Sequence, residues 1–245
     1  MNLRLSERDL RVLAKCAVSK WLTTSQLQRL YFPDVTPDAA RKSLRRLSQA
    51  EYLISFRENP VAEALFAVGS KAKGLLATKG LEVDWCRTPP RQVEHLIGIN
   101  DVRIAVEAEP SRVAYFFSFW ELPQIHWDHA VIPDALFALK CPERCTFVME
   151  YDRGNETREQ LSRKFLAYGA GLSSFLFDAV MLVTDTPERL ETVRHHLRHR
   201  LVSVRLLGAT LSAIKTIGVH AVEFQDIRAT SERTTLLAEL RESIS

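Results

Sequence analysis

Carboxylates set among apolar residues are the feature of this sequence best equipped to do chemistry. In VIPDALF, Asp134 follows Pro133 inside an otherwise apolar strand, and one hairpin later FVMEYD carries Glu150 and Asp152. Side chains two apart on a strand share a face, so Val148, Glu150 and Asp152 point together. Burying a carboxylate among apolar neighbours is costly unless it meets a cation or a metal. Asp134 and Glu150 on adjacent strands supply the hard oxygen donors that Mg²⁺, or Mn²⁺ in its place, prefers. The next stretch, ETREQLSRKFLAYGAGL, reads as an amphipathic helix with Leu161, Phe165, Tyr168 and Leu172 inside. Lys164 falls at the edge of that stripe, placed to neutralise charge on a phosphate or to orient a water. The competing reading is a polar cluster that only supports the fold.

The elements that must position these groups follow the order α-β-β-β-α-β-α-β. EHLIGINDVRIAVEAE is helical by pattern and RVAYFFSFWEL is strand-like, while VIPDALFAL and CTFVMEY are strands joined by KCPER. After the Lys164 helix come a buried strand DAVMLVT, a helix PERLETVRHHLRHR, the strand-like runs VSVRLL and GVHAVEF, and a polar, helical tail. Upstream, residues 1–85 read as helices followed by a hairpin. Ser6 caps a helix carrying Leu10, Leu13, Ala14 and Ala17, and Thr24 caps SQLQRLYF. A third helix opens at Pro37 and buries Ala40, Leu44 and Leu47, leaving Arg41, Lys42, Arg45 and Arg46 towards solvent. YLISF and ALFAV form a two-stranded wing around RENPVAE, with Arg57 as its phosphate contact, and SKAKGLLATKGL closes the unit.

Three helices and a hairpin make the pattern of a winged helix-turn-helix, whose third helix enters the major groove of DNA. Arginine suits that helix because its fork grips a phosphate or the edge of guanine. The bland alternative is a solvated basic face in a protein–protein module. The expected organisation is a winged helix over 1–85 and an α/β domain over 91–245, with WCRTPPRQ as linker.

Composition excludes little but excludes it firmly. Of 245 residues, 46% are apolar and 26% charged, enough to build ordinary cores and too ordered a mixture for a disordered chain. No apolar run reaches the ~18 residues of a membrane span, so no membrane association is expected. MNLRLSERDLRVLAK lacks the apolar block of a secretory signal, and four cysteines fit reduced thiols in a cytoplasmic protein. A net charge of +3 is too small to identify a nucleic-acid binder by itself.

Proline–aspartate, then E-Y-D one hairpin later, within α-β-β-β-α-β, resembles the PD-(D/E)XK nuclease superfamily. More narrowly, a winged helix followed by HLIGINDVR, IPDALF, MEYDRGNET and KFLAY resembles the replication-relaxation family of plasmids and integrative elements, from about residue 7 to about residue 185. The resemblance implies a restriction-endonuclease-like second domain in which Asp134 and Glu150 ligate metal. It makes Lys164 the catalytic lysine, with Tyr168 positioning it in a K-x-x-x-Y variant. Asp152 stands where the superfamily expects lysine, so either the lysine has moved to position 164 or the site is degenerate. The implied function is binding of double-stranded DNA and Mg²⁺-dependent nicking linked to replication or mobilisation, with a homodimer and replication or mobilisation proteins as further partners. The rival is a non-enzymatic replication or transcription regulator whose second domain dimerises or docks.

Other signals are weaker. His195, His196 and His199 have helical spacing for zinc but no acidic or cysteine partner, and Cys141 and Cys145 lack a second pair. His95, Asn100 and Arg103 match a stretch of the family but are equally explained by capping and packing. Glu94 and Glu107 lie on the same helix, and either one or the other is a candidate auxiliary acid. Trp120 and Trp127 form a core edge or a base-stacking surface.

Overall fold

The computed structural model describes residues 3–81, 83, 87–141, 143–170, 177–197, 204–228 and 234–236. The chain divides into two compact units, residues 1–100 and 101–245.

In the first unit, α1 (Glu7–Ser19) begins where a capping box forms. The Ser6 hydroxyl accepts from Asp9 N–H at 3.2 Å and the Asp9 carboxylate accepts from Ser6 N–H at 2.9 Å. A two-residue strand, β1 (Leu22–Thr23), leads into α2 (Thr24–Tyr31). The cap of α2 is Thr23, one residue earlier than the sequence suggests, because Thr23 has Gln26 three positions on and the two exchange bonds of 3.0 Å. Thr24 is already helical and donates its hydroxyl to the Ala64 carbonyl at 3.2 Å. The third helix, α3 (Pro37–Gln49), starts at Pro37 and buries Ala40, Leu44 and Leu47 completely.

Strands β2 (Leu53–Phe56) and β3 (Leu65–Val68) then pair antiparallel from Leu53↔Val68 to Phe56↔Leu65, and β1 adds to the free edge of β3. Two residues are too few to show alternation, which is why β1 is invisible in the sequence. Helix α4 (Ser70–Ala77) follows at Gly69, where an added Cβ would stand 2.3 Å from the Glu51 carbonyl oxygen. Only glycine fits that approach of backbone to backbone. Residues 87–92 of the proposed linker are irregular, while Trp85 and Cys86 lie outside the described residues. Helix α5 (Val93–Glu107) comes next, and within the first unit its Asn100 is buried, donating to the Ser19 and Trp21 carbonyls at 3.0 and 2.9 Å.

The second unit is built on a seven-stranded sheet of order β10-β9-β8-β7-β6-β5-β4. Its strands are β4 (Val113–Ser118), β5 (Ala135–Cys141), β6 (Glu143–Asp152), β7 (Ala179–Thr184), β8 (Leu206–Thr210), β9 (Phe224–Asp226) and β10 (Thr234–Thr235). The pairs β6–β7 and β7–β8 are parallel and all others antiparallel. Helices α6 (Arg158–Ala170) and α7 (Pro187–Leu197) supply the crossovers, and Leu161, Phe165 and Tyr168 of α6 pack with Val148 and Val180 in one core.

Several expectations shift. Asp134 stands one residue before β5, not inside it, and the β5–β6 ladder runs on through Lys140↔Arg144 to Cys141↔Glu143, so most of KCPER is strand. Strand β8 starts only at Leu206, and a helix absent from the sequence reading, α8 (Leu211–Ile217), follows it with Thr210 as cap. The tail contributes β10, and its expected helix beyond residue 236 lies outside the described residues, as does Leu172.

Candidate functional site

On α3, Asp38, Arg41, Lys42, Arg45 and Gln49 follow the spacing i, i+3, i+4, i+7, i+11, which lays them along one helix face. That face and the β2–β3 hairpin enclose a groove of about 710 Å³, lined by these five residues together with Arg57. The four expected cations of α3 are all exposed, but they are not equivalent. Arg46 turns off the groove and meets the fully buried Asp9 of α1 at 2.7 Å. Although burial works against the ionised form of Asp9, its bonds to Ser6 and Arg46 hold its carboxyl below the usual range. Arg41 is tied to Asp38 at 2.5 Å. Lys42 and Arg45 make no ion pair within the described residues. Arg57 donates to the Pro60 and Ala62 carbonyls at 3.3 and 3.4 Å, bracing the hairpin turn while it lines the groove.

The carboxylates of the second unit gather at the end of β6. The register Ala135↔Met149 puts Asp134 at the level of Glu150, and its Oδ2 accepts from Tyr151 N–H at 2.8 Å. Glu150 is buried. Its Oε2 receives Lys164 Nζ at 2.8 Å and its Oε1 receives the Tyr168 hydroxyl. Helix periodicity explains this: Lys164 and Tyr168, four apart on α6, reach the same carboxylate from one face. Lys164 and Tyr168 thus meet on the two oxygens of one carboxylate. Lys164 is shared with Glu156 at 2.9 Å.

Burial and the Asp134 charge push Glu150 up to about 8, against the pull of Lys164 and Tyr168. Burial disfavours the ammonium of Lys164, but Glu150 and Glu156 outweigh that and raise its pKa, and burial beside Glu150 raises Tyr168. Asp152 shares the β6 face, as alternation requires, but it is engaged elsewhere. Its Oδ2 meets Arg189 Nε of α7 at 2.6 Å and its Oδ1 accepts from Gly154 N–H at 2.8 Å. An arginine thus answers the acid that stands in the expected lysine position.

Among the described residues no group of three or more His, Cys, Asp or Glu side chains is arranged to hold a metal ion. The donor chemistry of Asp134 and Glu150 nevertheless fits a hard divalent cation. Two carboxylates lie close enough for one to raise the other's pKa, and a cation would relieve that repulsion.

Glu156 and Arg189 escaped the sequence reading because loop and helix residues carry no periodic signal for a partner on another element. Arg103 proves structural: buried, it binds Glu107 at 2.9 Å and Glu121 at 2.5 Å, so Glu107 is committed to an ion network. Glu94 and His95 lie in the first turn of α5. Trp127 donates to the Val131 carbonyl at 2.9 Å and packs on the core, which makes it a core edge, while Trp120 packs edge-on against Phe119. His195 and His196 end α7, and His199 and the Cys141 side chain lie outside the described residues.

The architecture is that of a mixed α/β protein with a large mixed sheet, and no helix among the described residues is long and apolar enough to cross a membrane. The sequence matches the replication-relaxation family over residues 10–174, and the chain belongs to that family. No curated protein and no solved structure matches it.

Proposed function

We propose that this protein binds duplex DNA through its first unit, as part of the replication or relaxation of a plasmid or mobile element. In this proposal residues 1–85 act as a winged helix-turn-helix, with α3 in the major groove and the β2–β3 hairpin as wing. The observation that carries it is the groove in which Arg41, Lys42, Arg45 and Arg57 converge. A helix face of cations next to a braced hairpin suits a phosphate-lined duplex better than it suits a generic solvated surface. The test is fluorescence anisotropy of the full chain on duplex DNA across a salt series. Lys42→Ala and Arg45→Ala should each reduce the log–log salt slope by about one. No duplex binding at low salt, or slopes identical to wild type, would overturn the proposal.

A second reading is favoured by Lys164 Nζ sitting 2.8 Å from Glu150 with Tyr168 on the same carboxylate. It assigns residues 91–245 a PD-(D/E)XK-like nuclease role, supported by the order α5-β4-β5-β6-α6-β7 with β6 and β7 parallel. Asp134 and Glu150 would hold Mg²⁺ or Mn²⁺, which when bound supplies a Lewis acid for a phosphoryl oxygen. Lys164 offers its ammonium to phosphate charge, Tyr168 fixes the Glu150 carboxylate, and Arg189 holds Asp152 aside. Nicking of supercoiled DNA that needs the metal and slows in Lys164→Ala is the expected result. A wild type inert with both metals on supercoiled, linear and single-stranded DNA would leave a regulator whose second unit docks or dimerises.

A further inference from the structure

We infer that Asp38 and Arg41 form one base-reading unit that selects a G·C pair, while Lys42 and Arg45 hold phosphates irrespective of sequence. This rests on the DNA-binding proposal and refines it.

The argument starts from how the cations of α3 are distributed. Arg46 is drawn off the face by the buried Asp9, at 2.7 Å, and is not among the groove residues. Lys42 and Arg45 line the groove with no ion pair among the described residues, so their charge is available to an anion. Arg41 lines the same groove but already carries a carboxylate, Asp38 Oδ1, on one Nη2 hydrogen.

Asp38 is the anomaly. A carboxylate on a face that meets DNA repels phosphate, so it weakens binding to every sequence alike. The only acceptor-seeking groups that the major groove offers it are base amines, that of cytosine among them. Asp38 is also the second residue of α3, and the N-terminal residues of a recognition helix are those that meet base edges.

The pair is suited to that task as a unit. Arginine has five N–H donors. The carboxylate takes one and leaves enough for the O6 and N7 acceptors of guanine. The bond also favours one orientation of the Arg41 fork, weakly because both partners are more than half exposed, so somewhat less freedom is lost on contact. Asp38 next to the helix N-terminus does stabilise α3, as does any i,i+3 pair. That role predicts a change in stability and none in sequence preference.

The experiment is selection from a randomised duplex library by the full-length protein, followed by anisotropy on the selected site and on single-pair variants of it. Wild type should select a site with at least one fixed G·C pair, and replacing that pair should weaken binding by about tenfold. Arg41→Lys keeps the charge and loses the fork. Its affinity for the selected site should fall to that for the single-pair variants, so the tenfold preference is lost. Asp38→Asn should bind random duplex more tightly and discriminate less. Lys42→Ala should weaken all sequences equally. If Arg41→Lys retains the preference, or if Arg41→Ala weakens every sequence equally, the inference falls while DNA binding stands. If wild type binds no duplex, both fall.

Discussion

Replacing Glu150 with glutamine should make the protein more stable at neutral and mildly alkaline pH. Burial and the Asp134 charge raise this carboxyl from 4.5 to about 8. Between those values the folded state keeps a proton that the unfolded chain has released. Stability falls with rising pH wherever the folded state binds more protons. The loss therefore begins near pH 4.5, grows to about pH 8 and then levels off. At ~1.4 kcal/mol per pKa unit, that interval sets a ceiling of roughly 5 kcal/mol. Glutamine keeps the shape, still offers Lys164 an oxygen, and cannot ionise. Its advantage should be near zero at about pH 4.5 and reach a few kcal/mol, under that ceiling, at about pH 8. Urea denaturation followed by tryptophan fluorescence across this range measures both proteins. Mg²⁺ adds a second arm. A cation held by Asp134 and Glu150 displaces the proton, so millimolar Mg²⁺ should stabilise wild type at about pH 8 and leave Glu150→Gln unmoved. Parallel stability–pH curves for the two proteins would refute the reasoning.

Two further substitutions probe the partition of charge. Arg46→Ala leaves the buried Asp9 carboxylate with only its Ser6 bonds and should cost about 1–3 kcal/mol by denaturation, with the DNA salt slope unchanged. A fall in slope would instead make Arg46 a phosphate contact. Asp152→Lys sets an ammonium against Arg189, now 2.6 Å from the acid, and should cost about 3–5 kcal/mol. A folded, equally stable variant would mean that Arg189 is free to turn away.

The periodic signals in this sequence fixed much of what was found. Ala40, Leu44 and Leu47 dictate which face of α3 is inward, so the exposure of Arg41, Lys42 and Arg45 follows from 3.6-residue geometry alone. Alternation along FVMEYD likewise commits Val148, Glu150 and Asp152 to one face of β6, and Leu161, Phe165 and Tyr168 to the buried stripe of α6. Tertiary structure decided the partners. Asp9 claims Arg46 across 37 positions and Arg189 claims Asp152 across another 37, and neither separation leaves a periodic trace. The placement of Asp134 just outside β5, the strand β1 and the helix α8 depended on pairing and capping that short segments do not announce. Local geometry sets which way a side chain points; which charge it meets there is set by long-range packing, because an ion pair needs two surfaces brought together and either one alone is only a polar residue.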